Sequence, residues 1–166
     1  MARERGSAVP TDLERPPRLP PRWFVRLFWQ LHRALFRGTG GRLGLWPPTK
    51  RWGTLRLTTT GRRTGQPRHV ILGYLEDGPD LVTLAMNGWD PAEPAWWLNL
   101  QAHPEAEAEL AGARLRVTAR AAEGEERDRL WARWGEVDEN LDAYASRRPG
   151  GTAVVVLEPA PSTRAG

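Results

Sequence analysis

The sequence predicts a mainly β (α+β) domain, an antiparallel barrel of short strands with one or two covering helices. Three observations carry that expectation. From Trp52 onward, apolar and polar residues alternate with a period of two, the pattern of a half-buried strand. Turn-forming residues such as Asp77-Gly78-Pro79 separate the runs. Only one or two helical stretches accompany the strands. The 166 residues suffice for one such domain with extensions and a sizeable core.

Taken in order, residues 1–21 are rich in proline and arginine, lack apolar periodicity, and read as a disordered tail. From Trp23 to Phe36, the residues Phe24, Leu27, Phe28, Leu31 and Leu35 recur at helical spacing. Arg22, Arg26, Arg33 and Arg37 gather on another face. This basic amphipathic helix has two readings: a surface helix with its stripe on the core, or a helix lying on an anionic membrane with Trp23 and Trp29 near the headgroups. Gly38 to Gly44 ends it and Pro47-Pro48 marks a linker, so helix and linker occupy residues 22–49 and the barrel residues 50–159.

Within the barrel, Leu55, Leu57 and Thr59 alternate with Thr54, Arg56 and Thr58 in a first strand. Val70–Leu75 and Leu81–Met86 form two more. Pro94 to Ala102 reads as a short helix with proline near its first turn. Glu105–Leu110 is ambiguous, because its Ala/Glu composition favours helix while its period of two favours strand. Arg114–Ala121 alternates as a strand. Glu125 to Trp134 is a charged amphipathic helix whose continuation to Tyr144 the sequence leaves open. Val154–Leu157 is the last strand, and residues 160–166 are tail.

Composition excludes several functions. There is no cysteine, hence no disulfide or thiolate metal site, and His32, His69 and His103 show no ligand spacing, so no metal is expected. Residues 1–53 carry 11 arginines and lysines against 3 acids, while residues 54–166 carry 13 against 17. A basic head on a mildly acidic body suggests an anionic partner. Nucleic acid is not expected, because the arginines of the head flank a large apolar face. Neither a secretory signal nor a bilayer-spanning run is visible, and the expected location is the cytoplasm, with peripheral contact on the inner face of the cell membrane as the open variant.

Two segments point to a site. The first, Leu57-Thr58-Thr59-Thr60-Gly61-Arg62-Arg63-Thr64-Gly65-Gln66-Pro67-Arg68, offers backbone N–H groups and guanidinium forks to an anion before leaving as Val70-Ile71-Leu72. The second, Pro94-Ala95-Trp96-Trp97-Leu98-Asn99-Leu100, supplies aromatic surface and a side-chain amide. Charge together with stacking surface suggests a flat, acidic organic cofactor.

These two segments, with Asp77-Gly78, Asn87-Gly88, His103-Pro104 and the closing Val-Val-Val-Leu-Glu-Pro, resemble the deazaflavin-dependent nitroreductase family over about residues 50 to 159. The resemblance implies the split β-barrel fold related to FMN-binding oxidoreductases. The cofactor it implies is coenzyme F420, an 8-hydroxy-5-deazaflavin whose tail of phosphodiester and glutamates is polyanionic. By resemblance, Arg62, Arg63 and Arg68, with amides near Thr64, bind the tail. The strand through His69, Val70, Ile71, Leu72 and Gly73 runs beside the cofactor. Leu84, Ala85, Met86 and Asn87 border the ring, and Ala95, Trp96, Trp97, Leu98 and Asn99 close the site. Tyr144 matches a substrate-pocket tyrosine and is the candidate catalytic residue, whereas Met86, Asp138 and Leu141 stand where the nitroreductases carry a serine and two further tyrosines. The implied activity is hydride transfer from reduced F420 to a lipophilic acceptor such as a quinone, with nitroaromatics as adventitious substrates. The alternative is a non-catalytic protein binding a lipid or the coenzyme on the same scaffold. Homodimerisation is common in the family and stays open here.

Overall fold

A computed structural model describes Leu45, Pro47, Pro48 and residues 52–87 and 91–161. The proline-rich tail, the amphipathic helix from Trp23 to Phe36 and the last residues of the C-terminal tail lie outside the described residues. The elements are β1 (Gly53–Thr60), β2 (Pro67–Asp77), β3 (Asp80–Leu84), α1 (Ala95–Ala102), β4 (Glu105–Leu110), β5 (Ala113–Ala121), α2 (Gly124–Gly135), α3 (Leu141–Ala145) and β6 (Val154–Pro159). All strand pairs are antiparallel, and the order β1-β2-β3-β6-β5-β4 closes on itself as a barrel.

Two apolar cores explain two kinds of strand sequence. The interior is filled by Leu55, Leu57, Leu72, Tyr74, Leu81, Val117, Val155 and Leu157, which α1 joins with Trp96, Trp97 and Leu100. The second core lies outside the sheet, where Leu75, Val82, Leu84, Val154 and Val156 meet Leu130 and Trp134 of α2 and Leu141 of α3. β3 and β6 are therefore covered on both faces and read as continuous apolar runs. β1 is covered on one face, and its burial alternates along its whole length.

The ambiguous Glu105–Leu110 segment is β4. Ala108 faces inward, fully buried. Outside, Glu109 pairs with Arg56 of β1, and Arg114 of β5 lies 3.5 Å from Glu107 and 3.8 Å from Glu109. Partners on the flanking strands override the helix propensity of alanine and glutamate. One boundary falls short of expectation, and one open continuation is settled. β3 stops at Leu84 instead of Met86, because the chain turns at Ala85. The helix from Gly124 does not reach Tyr144. It ends at Gly135, where Asp138 caps a turn by accepting from the Asn140 N–H at 3.0 Å, and α3 starts afresh.

Helix α2 is pinned to the β2–β3 hairpin by charge. Asp77 accepts from Arg129 at 2.7 and 2.9 Å and from Arg133 at 2.7 Å. Arg120 joins Glu126 at 2.6 Å to Glu158, also at 2.6 Å. The hydrogen bond from Arg129 holds the Asp77 carboxyl below the ordinary range, and Arg120 does the same to Glu126. Burial, seconded by Glu158, pushes Asp80 upward at the other end of the same turn.

Candidate functional site

The β1–β2 ladder runs from Gly53↔Tyr74 to Thr60↔Pro67 and ends in a tight bend. Gly61 donates to the Gln66 carbonyl at 2.9 Å, and the Gly61 carbonyl accepts from Thr64 at 3.1 Å and Gly65 at 2.7 Å. A Cβ at Gly61 would sit 2.9 Å from the Gln66 carbonyl oxygen, and Gly65 adopts φ +66°, so both glycines are required. The bend leaves Arg62, Arg63, Arg68 and His69 exposed. Of the amides near Thr64 expected to face a ligand, those of Thr64 and Gly65 are engaged inside the bend by the Gly61 carbonyl.

Asn99 locks this bend to α1. Its Oδ1 accepts from both the backbone N–H and Nη1 of Arg62 at 3.2 Å, and its Nδ2 donates to Thr59 Oγ1 at 3.1 Å. At 4% exposure Asn99 is a buried latch, with both ends of its amide engaged by the protein. It sits on a helix built from Trp96, Trp97 and Leu100, all buried, with the two indoles edge-to-face at 6.3 Å. The helix starts at Pro94, whose carbonyl accepts from Trp97 at 3.0 Å and Leu98 at 3.1 Å.

Beside α1, the chain leaving β3 is fixed by a residue the sequence did not single out. The guanidinium of Arg148, just after α3, donates to the Ala85 carbonyl and reaches Glu93 and Thr152 at 3.4 Å each. Three separated segments thus converge: the arginine bend, α1 with its approach, and the β3 exit with the end of α3. In a chain with 24 cationic residues, Arg148 looks like any loop arginine, and only its 3% exposure distinguishes it.

The other expected positions divide by strand geometry. Val70 and Leu72 turn into the barrel. His69, Ile71 and Gly73 turn out, with His69 Nδ1 3.0 Å from Thr58 Oγ1 and Gly73 under Trp52 and Trp134. Leu84 and Ala85 are buried, Met86 and Leu98 are half-buried, and Asn87 and Ala95 are exposed. Tyr144 is half-buried on α3, four residues before Arg148, and Asp138 lies in the preceding turn, whereas Leu141 is buried in the outer core. Among the described residues no cluster of metal-ligating side chains forms, and no helix is long and apolar enough to cross a membrane.

A family model described as F420H(2)-dependent quinone reductase matches residues 28–159. The chain belongs to this family. It is similar to an F420H(2)-dependent quinone reductase of Mycobacterium tuberculosis (strain ATCC 25618 / H37Rv), 39% identical over 135 residues, which span 77% of this chain and 87% of the relative. A solved structure described as an F420-H2 dependent reductase (FDR-A) matches with a TM-score of 0.58 at 30% identity, over 63% of this chain and 93% of that one. Another, described as a domain-swapped dimer, matches with a TM-score of 0.61 at 29% identity, over 81% and 98%. The barrel is therefore the split-barrel, FMN-binding-like fold, and the chain is an oxidoreductase dependent on coenzyme F420.

The residues present fit that coenzyme's polyanionic tail. Arg56, Arg114, Arg120, Arg127, Arg129, Arg133 and Arg148 are each held by a carboxylate. Arg62, Arg63 and Arg68 are not ion-paired among the described residues, although all three crowd one bend. Among the described residues, an anionic ligand at this bend would compete with no internal carboxylate, and only the Asn99 amide engages Arg62 there.

Proposed function

We infer that the protein transfers a hydride from reduced F420 to a lipophilic quinone at the convergence of the arginine bend, α1 and the β3 exit. The observation that carries this reading is the unpaired arginine cluster, fixed to α1 by Asn99. Arg62, Arg63 and Arg68 hold the phosphodiester and glutamates of the tail by charge-assisted hydrogen bonds. Bound reduced coenzyme supplies a two-electron hydride donor on a flat ring. Backbone from His69 to Gly73 and from Leu84 to Asn87 flanks that ring, and α1 keeps water from one side. Trp96 and Trp97 act there as the buried support of the wall, since their indoles are spent on the core. Met86, half-buried where nitroreductases carry serine, makes the acceptor side apolar and suits a quinone better than a nitro group. Tyr144 is the hydroxyl offered for the proton that completes the hydroquinone.

Two further features belong to this proposal. The basic amphipathic helix from Trp23 to Phe36 brings the protein to anionic membranes, where lipophilic quinones dissolve. The domain-swapped neighbour supports a homodimer. Titration of the protein with oxidised F420, followed by tryptophan quenching, tests the central reading. Saturation at micromolar coenzyme is expected, with oxidation of reduced F420 by a naphthoquinone. Absence of saturable binding would remove it. Deleting residues 1–44 is expected to release the protein from anionic vesicles with coenzyme affinity retained, and sedimentation gives the oligomeric state.

A further inference from the structure

The β3–β6 ladder ends at Leu84↔Val154. One backbone bond extends it, from the Ala85 N–H to the Ala153 carbonyl at 2.9 Å. The chain then reverses within three residues: the Met86 N–H donates to the Leu84 carbonyl at 2.8 Å, closing a γ-turn centred on Ala85. The carbonyl of that central residue accepts from Arg148 Nη1. The same guanidinium reaches Thr152 Oγ1 at 3.4 Å on the approach to β6 and Glu93 Oε1 at 3.4 Å on the approach to α1. Arg148 itself is anchored to the end of α3, its N–H donating to the Ala145 carbonyl at 2.9 Å. One planar fork therefore ties the β3 exit, the α1 entry and the α3 exit together.

Packing does not account for this residue. Among the described residues its burial leaves Arg148 Nε and Glu93 Oε2 without hydrogen-bond partners, which an aliphatic side chain in the same space would avoid. What a guanidinium alone offers is several donors in a rigid plane, aimed at acceptors on separate loops.

We propose that Arg148, seated by Glu93, is a positioning residue for hydride transfer. By holding the γ-turn at Ala85 it sets where Met86 and Asn87 stand against the bound coenzyme and its acceptor. This rests on the coenzyme site proposed above. Tail capture at Arg62 and Arg63 involves none of the Arg148 contacts, so affinity and transfer rate separate when the fork is changed.

The test uses the full chain with Arg148→Gln, Arg148→Lys and Glu93→Gln. In ligand-free protein, amide hydrogen exchange at Ala85 and Met86 is expected to rise about tenfold or more in Arg148→Gln relative to the β1 amides, and less in Arg148→Lys. With coenzyme, the single-turnover rate of reduced F420 with a water-soluble naphthoquinone is expected to fall about tenfold or more while the dissociation constant moves less than about threefold. Arg148→Lys, still able to reach the Ala85 carbonyl, recovers part of the rate. Unchanged protection at Ala85 and Met86, an unchanged transfer rate, or equal losses of affinity and rate would each overturn the proposal. A wild-type protein that binds no coenzyme overturns the functional reading instead, and the exchange measurement still decides the role of the turn. Should Arg148→Gln not fold, Arg148→Lys and Glu93→Gln keep the test open: both are expected to lower protection at Ala85 and Met86 and the transfer rate by less than Arg148→Gln, and no change of either quantity in both variants overturns the proposal.

Discussion

The bend at Arg62 and Arg63 and the loop junction at Arg148 use the same side chain for opposite ends. At the bend the guanidinium groups are exposed and meet no carboxylate among the described residues. At the junction the guanidinium is buried, shared among three oxygens and paired with Glu93. The bend gets its shape from glycines and from Asn99, so its shape draws on no ion pair among the described residues. The junction has little backbone pairing beyond Leu84, so its arginine is consumed in making the shape. What decides whether a cation serves the architecture or the ligand is the supply of other groups able to hold the loop.

The largest contrast between the two regions is in stability. Arg148→Ala strips the buried Ala85 carbonyl of its donor and leaves the partly exposed Glu93 without its cation, and should cost about 3 kcal/mol in urea unfolding. Arg62→Ala with Arg63→Ala should stay within about 0.5 kcal/mol of the parent in the same measurement. Comparable losses at both places would break the comparison. Asn99→Leu comes next. It strips Thr59 and Arg62 of a buried partner and should cost about 1–3 kcal/mol, together with a loosened bend visible as faster amide exchange at Arg62. Below that, Arg62→Ala with Arg63→Ala should weaken F420 affinity about tenfold, roughly 1.4 kcal/mol. The loss should grow as the glutamate tail lengthens, and a tail-independent loss would contradict the assignment of the bend. The smallest effect is on acid stability. The folded-state carboxyl of Asp77 is lowered by Arg129, so its contribution is present above the ordinary carboxyl range and is lost as pH falls through the lowered value. Asp77→Asn should flatten that acid limb by less than about 1 kcal/mol, since the pair is partly exposed.

Much of the barrel was legible because alternation and coverage are local consequences of burial. The residues Leu55, Leu57 and Thr59 announced a one-sided strand, and β1 is one. The unbroken run from Val154 to Leu157 marked the last strand, and the two cores that cover its faces explain why it does not alternate. The Glu105–Leu110 segment could not be settled in isolation, because what makes it a strand is Arg56 and Arg114 on neighbours distant in sequence. The arginine bend was legible as a bend with spare donors. That its Thr64 amide is already used follows only from how the chain closes on Gly61.

By itself the sequence determined the hairpins, the two-period strands, the glycine-framed cationic bend and the resemblance that the family match bears out. Each of these depends on spacing along the chain, or on residue types whose backbone preferences act over a few positions. Tertiary structure alone decided that Asn99 is a latch, that both indoles of α1 serve the interior, and that one arginine among many is withdrawn from water to hold Ala85. Those outcomes depend on which loops meet at one end of a closed sheet, and burial changes the role of a polar side chain without leaving any mark on its letter.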